Sequence, residues 1–173
     1  MEFSLHHPID LTEPGQAQRL ASFIWPDQPE RLARLQAAQA AARGWMLHES
    51  VKLEALPAAA FVARELQALH QGAATVLMHS VVWQYIAAAE QALIEAAVAQ
   101  AAVRASAGAP LAWLRLEPRG ADGKVELRCR LWPGGHDHLL AQAHPHAAQI
   151  DWLAGASEPA LRLAAAPAPG VAP

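Results

Sequence analysis

An alternation of apolar and polar residues over Val125–Trp132 constrains the fold of this chain most strongly. Successive side chains of a strand point to opposite faces, so the alternation predicts a strand that buries one face only. Short turn sequences follow and precede it, at Pro133–Gly135 and Gly120–Gly123. They connect it to two further predicted strands, Leu139 to about His144 and Leu111–Leu116. Three strands joined by short turns predict an antiparallel meander.

Helices separate the strands that are predicted upstream of this meander. Alanine makes up about a quarter of the residues, several times its ordinary share, and raises helix propensity throughout. Chain breakers and apolar runs therefore decide the assignment. They predict N-terminal helices within residues 16–43, two later helices at Ala58–His70 and about Ala87–Ser106, and strands at Trp45–His48 and Thr75–His79. Strands that alternate with helices are typical of parallel crossover connections.

These elements predict one α/β domain over residues 1–154, with the N-terminal helices at 16–43 and the sheet core at 45–153. Its expected architecture is three-layered, with a mixed sheet whose parallel strands have helical crossovers and lead into the C-terminal antiparallel meander. Another short strand is expected near Gln149–Trp152. Residues 155–173 are rich in Ala and Pro without periodicity, which predicts a disordered tail.

Composition excludes several functional classes. The 173 residues carry a net charge of −3 with only 13 Lys and Arg, which argues against a nucleic-acid-binding module. A single cysteine, Cys129, rules out a disulfide framework and a multi-cysteine metal cluster. The N-terminal residues lack the basic and apolar regions of a signal peptide, and polar residues interrupt every long apolar stretch. We therefore expect a soluble, cytoplasmic protein without membrane contact.

The first candidate site lies where the predicted strand Thr75–His79 ends. Ligands of open α/β sheets gather outside the carboxyl ends of parallel strands, and His79 and Ser80 stand at such an end. Glu117 follows the strand Leu111–Leu116 and is a third polar candidate for acid–base chemistry. Trp83 and Tyr85, a few residues further on, are candidate substrate-binding residues. In the alternative interpretation, Ser80 caps a helix, His79 is a hydrogen-bonded structural histidine and Glu117 is a solvated turn residue.

Histidines concentrate in a second region, at His136, His138, His144 and His146. In a meander its first and third strands run in the same direction, so His144 and His146 would share a sheet edge with His79 and Glu117. We include both as catalytic candidates. A metal site needs three or more converging ligands. The spacing offers no third one, so no metal is expected.

Eight segments of the chain carry a family resemblance: Ile9–Thr12, Phe23–Gln28, Arg31–Leu35, Leu53–Pro57, Val76–Tyr85, Ala112–Pro118, Leu131–Gly135 and Ala143–His146. The most specific blocks contain His79-Ser80 and His144-Pro145-His146. Together the segments resemble a family of bacterial proteins, domain of unknown function 2332, over about residues 9–153. Members of this family look longer, and the resemblance covers their C-terminal half. It implies a Rossmann-like, methyltransferase-like architecture and supplies no catalytic residues.

Three functional hypotheses follow. The first is a methyltransferase-like domain of unproven activity. The second is a non-catalytic half-domain that forms a homodimer or binds a partner domain through an exposed apolar face. The third is a His-based metal-dependent hydrolase. No glycine-rich loop follows a first strand, so we expect no cofactor and no micromolar binding of S-adenosylmethionine. Glu49 could stand at the position of the acidic residue that binds the ribose of this donor, but one carboxylate does not replace the missing loop.

Overall fold

The computed structural model describes residues 2–5, 9–11, 13–48, 52–119, 124–144, 149–153 and 155. The protein is a mixed α/β protein, and the chain divides into two compact units, Met1–Ala58 and Ala59–Pro173. No helix in these ranges has the length and apolar character needed to span a membrane. Most of the tail expected after residue 154 lies outside the described residues.

The first unit combines two helices with a small parallel sheet. Its elements are β1 (Glu2–Leu5), α1 (Pro14–Ala21), α2 (Pro29–His48) and β2 (Lys52–Ala55). β1 and β2 pair in parallel along their whole length. Both helices begin with a proline, which has no N–H to leave unpaired in the first turn and whose fixed φ suits a helix start.

The strand predicted at Trp45–His48 is wrong, because α2 continues through Gly44 to His48. A glycine inside a helix costs about 1 kcal/mol relative to alanine. Elongating an established helix adds one hydrogen bond per residue, and Met46 and Leu47 are good helix formers. The glycine therefore does not end the helix here. The strand of this region is β2, which follows a few residues later.

The second unit holds a five-stranded mixed sheet in the order β3-β4-β5-β6-β7. β3 and β4 pair in parallel, and the three other neighbouring pairs are antiparallel, as the turn sequences predict for the meander. β6 begins at His136, before the predicted strand start at Leu139, so His136 and His138 lie in this strand. The elements are α3 (Ala58–Glu65), β3 (Thr75–Ser80), a 3-10 turn (Trp83–Tyr85), α4 (Ala88–Ala102), β4 (Leu111–Arg119), β5 (Lys124–Trp132), β6 (His136–Ala143) and β7 (Ile150–Trp152).

The strand register gives this sheet two different faces. Alternation along paired strands puts every second residue on one face, and the partners in register share it. We call one the charged face: His79 of β3, Trp113, Arg115, Glu117 and Arg119 of β4, Glu126, Arg128, Arg130 and Trp132 of β5, and Asp137 of β6. We call the other the apolar face: Val76 and Met78 of β3, Leu114 and Leu116 of β4, and Val125, Leu127 and Cys129 of β5.

The two helices of this unit are bonded to each other at both ends of α3. The Glu90 carboxylate of α4 accepts a hydrogen bond from the Ala59 N–H at 3.2 Å. Near the other end, the Arg104 guanidinium donates to the Leu66 carbonyl. An acid at a helix N-terminus and a base at its C-terminus both complement the helix dipole. Ile94 and Val98 of α4 and Leu111 of β4 are buried in the core.

Candidate functional site

A cavity of about 800 Å³ opens between α4 and the charged face. From α4, its wall consists of Glu95, Val98, Ala99 and Ala102. The opposite wall is the charged face, from His79 on β3 to Trp132 on β5. A cavity of this size falls within the range of small-molecule sites.

At one end of this cavity, His79 and Glu117 form a hydrogen-bonded pair. The Nδ1 atom of His79 lies 2.7 Å from Oε1 of Glu117. The two side chains are only 14% and 13% exposed. Both stand at the carboxyl ends of β3 and β4, where the register pairs His79 with Arg115 and leaves Glu117 two residues further along the same face. Parallel pairing thus brings together two residues that are 38 positions apart.

The loop after β3 folds around the Glu117 carboxylate. Val81 adopts a positive φ of 47°, which is strained for a β-branched residue, and its N–H donates to the Leu116 carbonyl at 2.9 Å. The next two backbone N–H groups, those of Val82 and Trp83, then donate to Glu117 at 3.2–3.4 Å. The carboxylate therefore receives donors from the loop as well as from His79.

These contacts fix which nitrogen of His79 carries its proton. An ionised carboxylate only accepts hydrogen bonds, so Nδ1 carries a proton, and whenever the ring is neutral Nε2 keeps its lone pair. Nε2 is buried and has no hydrogen-bond partner within the described ranges. The ring stacks on Trp83, with centroids 5.1 Å apart, and lies 5.9 Å from Trp113. The imidazole is thereby held in one orientation with one tautomer.

Arginines and carboxylates form a network beyond this pair. Asp137 accepts from both Arg115 and Arg128, the latter at 3.0 Å, and Glu126 accepts from Arg128 at 3.0 Å. Burial lowers the pKa of the Arg115 guanidinium below its ordinary value. Burial also opposes the charge of Arg128, but its hydrogen bonds to Glu126 and Asp137 outweigh this and raise its pKa. Asp137 therefore accepts hydrogen bonds from two guanidinium groups and Glu126 from one.

Tryptophan and arginine side chains alternate along the same face. The Arg115 guanidinium lies 5.0 Å over the Trp113 ring, and that of Arg130 lies 5.2 Å over Trp132. Stacked arginine is attracted by the negative face of the ring. Two donors of this array, Nε1 of Trp113 and Nε of Arg115, are buried without a hydrogen-bond partner in the described part of the chain. Buried polar groups are normally satisfied, so these atoms require an explanation.

Three of the residues proposed from the sequence therefore meet at the cavity: His79, Glu117 and Trp83. Ser80 follows His79 in β3, so its side chain belongs to the opposite face of the sheet, and it is exposed. Tyr85 is 77% exposed and does not line the cavity.

The remaining candidates do not join this group. His144 directly follows β6 and is exposed, at the same sheet edge as the end of β4 but with β5 between the two strands. His146 and Glu49 lie outside the described residues. Across the described ranges, no group of three or more His, Cys, Asp or Glu side chains is arranged to hold a metal ion.

The sequence interpretation missed the arginines, Asp137 and the role of the tryptophans. Of the tryptophans that line the cavity, the sequence interpretation named Trp83 but not Trp113 and Trp132. A signal was present. From Trp113 every second residue reads Trp-Arg-Glu-Arg, and the strand ending at Trp132 carries Glu-Arg-Arg-Trp at the same spacing. Two neighbouring antiparallel strands with mirrored charged alternation predict a shared polar face, which we had assigned to solvent.

Comparison with known proteins identifies the family of this chain. Residues 6–152 match the family described as an uncharacterized protein conserved in bacteria, DUF2332, and the chain belongs to that family. This confirms the resemblance inferred from the sequence blocks. No curated protein and no solved structure matches the chain.

Proposed function

We propose that the second unit is a catalytic domain in which His79 acts as the general base on a small substrate bound in the cavity. The observation that carries this proposal is the 2.7 Å contact between Nδ1 of His79 and Glu117. A carboxylate in this position holds the imidazole in the tautomer whose Nε2 accepts a proton, and it stabilises the imidazolium that forms. Glu117 is the positioning residue.

The location supports the same assignment. Both residues stand at the carboxyl ends of the two parallel strands, where open α/β sheets bind their ligands. The strained φ of Val81 also occurs at this point, and strained backbone clusters at functional sites. The substrate proton that Nε2 would take belongs to a hydroxyl, an amine or a water molecule. We propose no serine nucleophile, since Ser80 belongs to the opposite face.

Activity assays of the full chain test this proposal. A panel of phosphate esters, carboxylic esters and lactones is the substrate set, and the variants are His79→Gln and Glu117→Gln. Loss of a general base lowers rates by roughly 10²- to 10⁴-fold, so we expect that loss in H79Q. We expect a smaller loss with an altered pH profile in E117Q. His138→Gln is the matched control, because His138 lies on the other face in β6.

An activity that survives H79Q unchanged would contradict the proposal. An activity that S80A abolishes while H79Q retains it would favour a serine-dependent reaction instead.

The methyltransferase-like, Rossmann-like architecture remains a prediction from the family resemblance. The described sheet has one parallel pair and three antiparallel pairs. We route no step of the proposed reaction through a methyl donor, and we still expect no micromolar binding of S-adenosylmethionine by calorimetry. The cytoplasmic location and the absence of nucleic-acid binding also stay predictions.

Association through the apolar face is a second candidate function. Val76 and Met78 of β3 are 57% and 59% exposed, and β3 is an edge strand with no charged residue. Exposed apolar edge strands are templates for pairing with another chain. We propose that a second copy or a partner domain covers this edge. Light scattering of wild type and V76K tests it: we expect a dimer that V76K dissociates, and a concentrated wild-type monomer would contradict the homodimer.

A further inference from the structure

Three buried nitrogen atoms without hydrogen-bond partners lie in residues that line the same cavity: His79 Nε2, Trp113 Nε1 and Arg115 Nε. From them we infer that the cavity binds the oxyanion of its ligand, a carboxylate or a phosphate, through Trp113 and Arg115. This inference rests on the site of the proposed function and names the substrate class of that site.

The chemistry of the three atoms defines what the ligand must offer. The indole Nε1 and the guanidinium Nε can only donate, so they need acceptors. His79 Nε2 is the acceptor of the set, because Nδ1 donates to Glu117. Leaving a buried donor or acceptor unsatisfied carries a full desolvation penalty, which a matching ligand group removes. The matching ligand has two acceptor oxygens and, beside them, a hydroxyl or amine that donates to His79.

The spatial arrangement suits one oxyanion. Trp113 and Arg115 alternate onto the same face of β4, and the Arg115 guanidinium stacks 5.0 Å over the Trp113 ring. Their two free donors therefore belong to one stacked pair of groups. A carboxylate or a phosphate presents two or more oxygens close together and forms its strongest hydrogen bonds with guanidinium donors. The His79 ring, 5.9 Å from the Trp113 ring, puts the proposed base next to the bound anion.

The charge of the cavity wall favours an anion over a neutral acceptor. Asp137 alone serves both Arg115 and Arg128, while Glu126 serves Arg128 and lies 3.9 Å from Arg119. Arg130 donates its Nε proton to the Gly135 carbonyl, a neutral partner. With Glu117 included, the charged face carries four guanidinium groups and three carboxylates, so this wall has an excess of one positive charge. The acid on the opposite wall, Glu95 of α4, is exposed to solvent.

Calorimetric titration of the full chain with sodium phosphate and with sodium lactate tests the inference, with sodium chloride at equal ionic strength as the reference. Lactate carries a carboxylate beside a hydroxyl, so the two probes distinguish the phosphate source from the carboxylate source. We expect one of them to bind more tightly than chloride. Trp113→Phe removes the Nε1 donor and keeps an aromatic ring. Hydrogen bonds to charged groups are stronger than those between neutral groups, so we expect the loss of this donor to weaken binding about tenfold.

Matched variants separate a specific effect from general damage. Trp152→Phe removes the same indole donor from an exposed residue that does not line the cavity, and we expect less than about a twofold change in affinity. Arg115→Lys keeps the charge and loses the Nε donor, so we expect it to weaken binding as W113F does. If R115K does not fold, W113F still decides the question.

The outcomes distinguish this inference from the proposed function. Binding of neither probe above the chloride reference would overturn the inference, as would binding that W113F leaves unchanged. If H79Q binds the anion normally and the wild type shows no His79-dependent catalysis, the inference stands and the proposed function fails. If catalysis depends on His79 but W113F leaves KM unchanged for an anionic substrate, the proposed function stands and the inference fails.

Discussion

The two faces of the five-stranded sheet are built from the same strands yet differ in almost every property. On the charged face, His79 is hydrogen-bonded to Glu117 and Arg115 to Asp137, and these residues line or adjoin a cavity. On the apolar face, the same strands present aliphatic side chains and Cys129, with exposure rising toward the edge strand β3. Successive residues of one strand are therefore selected for different properties: hydrogen bonding and charge on one face, and apolar character on the other.

The difference between the two faces indicates that the charged face is the one that carries function. Burying ionisable side chains costs free energy unless each finds partners, so a half-buried charged face is retained only with an extensive hydrogen-bond network. Here that network includes a positioned histidine and two unsatisfied donors. The apolar face needs no such arrangement, since burial of carbon alone stabilises it.

Removing the central carboxylate of the charged face should have the largest effect. Glu117→Ala leaves the His79 Nδ1–H and the N–H groups of Val82 and Trp83 without their acceptor. The contacts of His79 and Trp83 are partly buried, and an orphaned buried donor costs about 1–3 kcal/mol, so we expect the free energy of unfolding to fall by about 3 kcal/mol in urea denaturation. Glu117→Gln, which keeps an acceptor oxygen, should lose less than half as much. An E117A loss below about 0.5 kcal/mol would contradict the network.

Two valines on the apolar face should respond very differently to the same truncation. Val125 is 2% exposed and Val76 is 57% exposed. Removing a buried valine side chain loses transfer free energy and leaves a cavity, so Val125→Ala should cost about 2 kcal/mol. Val76→Ala should cost less than about 0.5 kcal/mol when unfolding is measured on the monomer, because a single copy of the chain leaves this side chain mostly in water. Equal losses in thermal or urea unfolding would mean that the gradient of burial across this face is wrong.

Cys129 should make the free energy of unfolding depend on pH in the alkaline range. Burial raises the pKa of its thiol in the folded protein. Above the ordinary thiol pKa of about 8.5, the unfolded chain loses this proton and the folded chain keeps it, so stability falls as pH rises. The fall continues until the folded-state pKa is passed, at no more than about 1.4 kcal/mol per pH unit.

The check is the pH dependence of the unfolding free energy between about pH 8 and 10, in wild type and Cys129→Ala. In Cys129→Ala the free energy of unfolding should fall less steeply with pH, because the contribution of the thiol is absent. Identical slopes in the two proteins would show that Cys129 does not titrate differently in the folded state.

The smallest expected effect concerns the loop that brings backbone donors to Glu117. Val81 and Val82 are 39% and 38% exposed, but only Val81 has a positive φ, of 47°. Glycine relieves about 1–2 kcal/mol of strain at Val81 and loses a similar amount through chain entropy and contacts, so V81G should lie within about 0.5 kcal/mol of wild type. Val82→Gly has no strain to relieve and should cost about 1 kcal/mol. A larger loss in V81G than in V82G would contradict the strained conformation.

Much of the second unit was predictable from local patterns, while its contacts were not. The turns predict the meander, and His79 and Glu117 were both assigned to strand ends. Their hydrogen bond depends on the register that pairs His79 with Arg115, and a shift by one residue would move Glu117 to the opposite face. No local pattern fixes that register.

The predictions that were wrong or incomplete also failed because the deciding interactions are not local in sequence. The N-terminal helices were expected to end by residue 43, but the favourable elongation of α2 outweighs the one glycine that follows, Gly44. The sharing of Asp137 by two arginines requires three strands side by side. The mirrored alternation of β4 and β5 could be recognised in the sequence. Its charged residues were assigned to solvent because the sequence of one strand does not show that a helix lies over that face.

The protonation of His79 tests the central claim most directly. Long-range ¹H–¹⁵N correlation spectra of the histidine rings distinguish a protonated nitrogen from one with a free lone pair, with His79→Gln identifying the signals. The account predicts that the neutral form of the His79 ring carries its proton on Nδ1 and none on Nε2, and that Glu117→Ala, which removes the acceptor, abolishes this single tautomer. A neutral ring with its proton on Nε2, or one whose tautomer is unchanged in E117A, would contradict it.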